Sequence, residues 1–279
     1  MKNIEMFCMC LHEHHLINIK KLNYIPVGLG VNTYSGEWLN DKTGKNISHK
    51  NKYYGEYTFY YWFWKNYLSK ISNNNWIGFT GYRYHWANKK NISSDELNKI
   101  INKENFSEYI LKETNNEWNN YDVILGEKIY VNRWKLSKIL KKGFRKLTKN
   151  PFAFSKKNQN IKLHFDIFHG EGLLDQAIEL LDKENKESFK DFVNKESAFN
   201  RENLFICKSK KLMNAYFESV FSWLVKCESI FGFNLHGYSK TRIYAFLAER
   251  YLSYWFQKNA NVLEWPIFFF DTNRNRLNN

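Results

Sequence analysis

Short apolar runs separated by longer helix-forming stretches constrain this chain more than any other feature. Residues 4 to 11 (IEMFCMCL) are apolar apart from Glu5 and end at His12, the pattern of a strand buried on both faces of a parallel sheet. Further runs at 76–80, 121–125 and 203–207 have the length of strands, whereas 54–69, 210–230 and 239–258 have the length of helices. Ser93 followed by Glu96 offers a capping box for a helix between two of the strands. Strands alternating with helices specify an α/β fold with a mostly parallel sheet. Such folds place ligand chemistry beyond the carboxyl ends of their strands, so the residues that follow each run are the first candidates for a site.

With 279 residues, 43% apolar and 18% aromatic, the chain can bury a large core, and a single domain over 1–279 is expected. No stretch approaches the ~20 apolar residues that cross a bilayer. The start, MKNIEMFCMC, lacks the charged-then-apolar layout of a secretory signal, so a cytoplasmic location is expected. Cys8, Cys10, Cys207 and Cys227 form no CxxC pair, and Cys8 and Cys10 share one strand face; buried free thiols are expected. A net charge of +14, from 42 Lys and Arg against 28 Asp and Glu, attracts polyanions, and diphosphates, anionic lipid and nucleic acid all answer that description. No nucleic-acid motif accompanies the charge, so nucleic acid is the weakest of the three.

One segment differs from the rest. Between Arg133 and Lys149, RWKLSKILKKGFRKLTK holds eight basic and no acidic residues, with apolar groups interleaved at helical spacing. Within an insertion at about 133–163, this is the composition of an interfacial helix on an anionic membrane surface, and equally of a basic helix packed on the core by its apolar stripe.

Residues 41 to 86 are the most specific stretch. The loop DKTGKNISHKN leads into the aromatic helix YGEYTFYYWFWKN, and the strand WIGFT then delivers Gly81, Tyr82, Arg83, Tyr84 and His85 to its end. This pattern resembles a bacterial family of capsular and exopolysaccharide synthesis proteins, glycosyltransferase-like and catalogued as a domain of unknown function. Its members show an acidic-Asn-Ile-Ser loop, a Glu-aromatic-Thr helix start, a Tyr-Trp-x-Trp-Lys-Asn helix end and a Tyr-Arg-Arg-Tyr strand end. The likeness continues at Tyr24 to Gly28, at Tyr121 to Leu125, at Asn203 to Ile206, and at Tyr238, Arg242, Phe246, Glu249 and Arg250. Two positions depart from it: Gly81 stands where relatives carry His, and Tyr84 where they carry a second Arg, with His85 available in place of the missing imidazole.

The resemblance implies a GT-A-like nucleotide-sugar-binding fold and a glycosyltransferase adding sugar from a UDP-sugar, of furanose type, to a growing capsular or surface polysaccharide. The implied partners are that donor and an oligosaccharide or lipid-linked acceptor, and the implied location is the inner face of the cytoplasmic membrane. Asp occurs at 41, 95, 122, 166, 175, 182, 191 and 271, never two apart, so no Asp-x-Asp pair can hold a divalent metal, and a metal-independent enzyme without cofactor is expected. Arg83, permanently charged and able to fork onto phosphate oxygens, is the candidate for that role, against the plainer reading of a surface arginine in a salt bridge. The HEHH of His12 to His15 is not a zinc motif, and His12 matches a family His at the end of the first strand.

The remaining donor candidates are Asp41, Thr43, Gly44, Asn46, Ser48, Asn51 and Glu56 in the polar loop and helix start, Tyr82 and His85 beside Arg83, and Asn203 and Arg242 farther on. Residues of these types also cap helices and close turns. For the base that takes the acceptor proton the candidates are His169, Glu249 and Asp166; His169 titrates near neutrality, whereas Glu249, beside Arg250, also reads as half of a buried ion pair. Against the enzyme stand two other readings, a non-catalytic sugar-binding subunit and a basic nucleic-acid-binding protein.

Overall fold

The computed structural model describes residues 4–72, 75–89, 91–133, 155 and 158–271. Of the basic segment, all but Arg133 lies outside the described residues. In chain order the strands are β1 (Ile4–Cys10), β2 (Ile25–Gly28), β3 (Leu39–Asn40), β4 (Trp76–Gly81), β5 (Tyr84–Trp86), β6 (Val123–Gly126), β7 (Lys128–Tyr130), β8 (Ala198–Asn200), β9 (Phe205–Cys207), β10 (Val262–Trp265) and β11 (Ile267–Phe269). The chain forms two compact units, one from Met1–Glu127, Leu204–Phe217 and Phe256–Asn279, the other from Lys128–Asn203 and Glu218–Trp255.

The first unit is built on a seven-stranded sheet in the order β10-β6-β9-β4-β1-β2-β3. β1 runs parallel to β2 and to β4, β2 to β3, and β6 to β10; β9 alone is antiparallel to its neighbours β4 and β6. The expected mostly parallel sheet is therefore present, with one reversed strand. From β1 the order proceeds to β2 and β3 on one side and to β4 on the other, so the carboxyl ends of β1 and β4 flank the point where the winding reverses. Open α/β sheets hold their ligands at such a point.

The aromatic helix closes one face of this sheet. Phe7 of β1 and Phe79 of β4 stand in register, and the helix Tyr57–Asn66 lays Phe63 within 5.1 Å of both ring centroids. Tyr60 lies 4.7 Å from Phe79, and the Tyr57 and Tyr216 hydroxyls meet at 2.6 Å. Tyr57, Phe59, Tyr60, Trp62 and Phe63 are all buried, so most of these rings form core rather than a sugar platform. The helix is shorter than 54–69. Gly55, at φ 56 and ψ −133, breaks it into Asn51–Tyr54 and Tyr57–Asn66, a backbone conformation that a residue with a Cβ adopts only under strain. The helix Ser94–Ile100 starts on the expected box: the Glu96 N–H donates to the Ser93 hydroxyl and the Ser93 N–H to the Glu96 carboxylate. All four cysteines are free and buried, and burial pushes the Cys10 thiol up to about 11.

The second unit holds the β7/β8 ladder and the helices Ile161–His169, Leu173–Ile178, Lys183–Lys195 and Tyr238–Thr241, with parts of Lys210–Phe231 and Ile243–Asn259. Asn160 and Asp182 cap two of these helices, accepting from the N–H groups of Leu163 and Asn185. Phe189 packs edge-on against Trp223 and Tyr251, all three buried. The run 239–258 is two helices rather than one, divided at Arg242.

Candidate functional site

The polar loop between β3 and the aromatic helix is held together by its own side chains. Asp41 is fully buried; its carboxylate accepts from the Gly30 N–H at 3.0 Å and the Thr58 hydroxyl at 2.5 Å. Burial pushes this carboxyl up to about 6, against the pull of Thr58 and Gly30. Asn46 donates to the carbonyls of Lys42 and Gly44 and accepts from the Ser48 hydroxyl, and Asn51 donates to the Gly55 carbonyl and the Thr58 hydroxyl. Thr43 accepts from the Trp62 indole at 2.9 Å. Gly44 has φ +55, and a Cβ there would stand 2.3 Å from Asn66 Oδ1, which accepts from the Lys45 N–H. Glu56 occupies the N-cap position of the aromatic helix rather than its first turn. In Asp41, Thr43, Asn46, Ser48 and Asn51, then, the structure shows the turn-closing role of these residue types, with Asp41 fully buried.

The edge where β1 and β4 end is different in kind. The Tyr82 N–H donates to the Met9 carbonyl, which ties the residue after β4 to β1. The Tyr82 ring lies 4.6 Å from His15 and 6.1 Å from His12, and the Arg83 guanidinium sits 4.9 Å over Tyr82 and 6.0 Å from Phe269. Among the described residues no carboxylate pairs with Arg83, which is half-buried rather than embedded. His12 is exposed, whereas His15 is buried and pushed down to about 4 by burial and by His14, with Asp271 pulling the other way. A Cβ on Gly81 would meet nothing within 4 Å, so open space borders this edge.

His85 is buried beneath that edge, beside the Tyr82 backbone and His15. It is 2% exposed, its ring packs against Phe106 at 4.9 Å and Phe268 at 5.7 Å, and Nε2 lies 3.3 Å from the Phe270 carbonyl. Burial holds it down at about 4, so it is a neutral core histidine in β5. Alternation along the strand explains the outcome, because His85 and Tyr84 point to opposite faces. Among the described residues no group of three or more His, Cys, Asp or Glu could hold a metal ion.

In the second unit, four predicted or adjacent residues converge on Arg250. Only 2% of Arg250 is exposed. Its Nη1 donates to Glu249 Oε2 at 2.5 Å and the Phe246 carbonyl at 3.2 Å, while Nη2 lies 3.3 Å from both His164 Nδ1 and His169 Nε2. A guanidinium only donates, so both facing ring nitrogens are acceptors: His164 carries its proton on Nε2 and His169 on Nδ1. Burial and then Arg250 push His164 well below its ordinary value. Phe199 covers the guanidinium at 4.3 Å. Glu249 Oε1 accepts from the Glu202 N–H, and Asn203 donates to the Ala245 carbonyl. Both residues of that turn have positive φ, 71 at Glu202 and 54 at Asn203, so the helix Ile243–Asn259 clamps a strained turn.

The ion pair that the sequence offered for Glu249 is present. Glu249 pairs with Arg250, and Arg242 instead covers the ring of exposed Tyr238. Asn203 is 4% exposed and holds the turn. Asp166 accepts from the Gly172 N–H and Lys162, which closes the turn after the helix Ile161–His169. The Nε2 lone pair of His169, the one a general base would use, faces Arg250. Sequence reading missed Arg250 as a centre, although a charged pair inside an apolar helical run signals burial with partners.

A family described as a domain of unknown function (DUF4422) matches residues 6–260. The chain belongs to it. No curated protein is a significant match to the chain. Among solved structures, the DUF4422 chain is similar to the apo form of WbbM, a bifunctional glycosyltransferase, with a TM-score of 0.68 and 22% identity. The likeness covers 96% of this chain and 45% of WbbM, so the chain spans less than half of that protein. At this identity the likeness establishes the mixed α/β fold with its mostly parallel central sheet. Among the described residues of this DUF4422 chain, no helix is long and apolar enough to cross a membrane.

Proposed function

We propose that this protein is a glycosyltransferase that takes its sugar from a nucleoside diphosphate donor, UDP for preference, and adds it to a surface polysaccharide acceptor. The observation that carries the reading is Arg83: a guanidinium without a carboxylate partner among the described residues, beside the carboxyl ends of β1 and β4 where the sheet order reverses. Sugar transfer requires the departing diphosphate to be neutralised, and a forked, permanently charged donor does this without a metal. His12 and Tyr82 line the same edge and supply surfaces for the base or ribose. The likeness to WbbM supports the reading at the level of fold. A capsular role, a furanose donor and attachment to anionic membrane through the basic segment are parts of the same proposal that rest on the sequence.

Calorimetry with UDP tests it. The expected result is measurable binding that Arg83→Ala weakens by about 1.5–3 kcal/mol, the range for a hydrogen bond to a charged group. Equal affinity in wild type and variant would remove Arg83 from the site. Once a donor is found, turnover is expected to persist in EDTA; loss on chelation with recovery in Mn2+ would overturn the metal-free mechanism.

A further inference from the structure

The residues that hold Arg83 in place come largely from the far end of the chain. β11 pairs antiparallel with β5, setting Phe269 opposite Tyr84 and Ile267 opposite Trp86. The ladder extends one step further, where the Phe270 N–H donates to the Arg83 carbonyl at 2.9 Å. The Arg83 guanidinium lies over two aromatic rings, Tyr82 at 4.9 Å and Phe269 at 6.0 Å. Phe269 is in turn braced by Tyr84, edge to face at 5.2 Å. Asp271 is 8% exposed, and its charge acts on His15, whose ring packs against Tyr82 at 4.6 Å. Backbone and side chain of Arg83 thus both meet residues 269 and 270, past the stretch 6–260 that matches the family.

A flexible arginine on a loop loses rotamer freedom when it grips phosphate, and aromatic faces that pre-set its fork reduce that cost. Each cation–π contact at a partly exposed site contributes about 0.5–1 kcal/mol. We propose that Phe269, with Tyr82, is a positioning residue that aims the Arg83 guanidinium at a diphosphate, so that the strand following the family region completes the donor site. The inference rests on the glycosyltransferase reading for its ligand, but the positioning itself can be measured without one.

The experiment uses the full chain with UDP and, separately, inorganic pyrophosphate as probes in calorimetry. Phe269→Leu and Tyr82→Leu are each expected to weaken both ligands ~2- to 5-fold, the equivalent of one lost ring contact. Phe269→Tyr restores the face and most of the loss, which a general packing defect would not show. The ligand-free readout is the Arg83 Nε–H resonance, expected at a ring-current-shifted position in wild type and displaced in both Leu variants. If both Leu variants bind as wild type while Arg83→Ala does not, the donor site stands and the positioning role falls. If wild type binds neither probe, the donor reading falls, and the Arg83 resonance still decides the positioning claim: an unshifted signal overturns it.

Discussion

Arg250 dictates the chemistry of its neighbours because all four of its terminal N–H groups face acceptors: Glu249, the Phe246 carbonyl and two imidazoles. Long-range nitrogen correlation spectra should show both rings neutral at pH 7, His164 protonated at Nε2 and His169 at Nδ1. The opposite tautomer at either ring would contradict the arrangement. Glu249→Gln leaves this buried guanidinium without its counter-charge. Removing one partner of a buried pair costs about 3–5 kcal/mol, and Gln, which keeps an acceptor oxygen, is expected near about 3. Urea unfolding measures this, and a loss below about 0.5 kcal/mol would mean the pair contributes nothing to stability. Arg250 was open to the sequence in one respect only. A Glu-Arg pair within IYAFLAERYLSYWF must be buried and partnered, but which residues supply the partners depends on how distant segments pack.

Among elements, the apolar runs were legible because period and length are local properties. β1, β4, β6 and β9 all fall on runs read from the sequence, as does the capping box at Ser93, and their boundaries shift by one or two residues. The reversed direction of β9 was not legible, because strand direction is set by the route of the connecting chain. Nor was the break at Gly55, where the aromatic periodicity continues across a residue in a conformation unlike a helix. The polar loop shows a different limit: its composition suits sugar hydroxyls and turn closure equally, and the bonding pattern shows the second. Gly44 tests how far that loop depends on its internal clamp. Gly44→Ala adds a Cβ in the left-handed region, costing roughly 1–2 kcal/mol, and drives it into Asn66 Oδ1. A lowered melting temperature is expected, and an unchanged one would show that the clamp gives way freely.

For the molecule as a whole, acid should be the adverse direction. His15 and His85 are pushed down to about 4, and burial and Arg250 hold His164 well below its ordinary value as well. Between about pH 6.5 and 4 the unfolded chain therefore binds protons that the folded one refuses, and stability falls as pH falls, on the order of 1.4 kcal/mol per unit for each group. Asp41 works the other way: raised to about 6 from 3.8, it takes up its proton in the folded state first and favours folding as pH drops through that window. Three imidazoles against one carboxyl predict a net loss, measurable as a lower urea midpoint at pH 5 than at pH 7. A flat profile would mean that these rings are not held neutral. The sheet order carries a consequence for synthesis. β6 lies between β9 and β10, and both are translated after it, so a nascent chain that has reached Glu127 holds a strand with two open edges. Such a chain offers backbone to any neighbour on the same message until Phe205 emerges, which makes a stalled or truncated product more prone to aggregate than the finished protein.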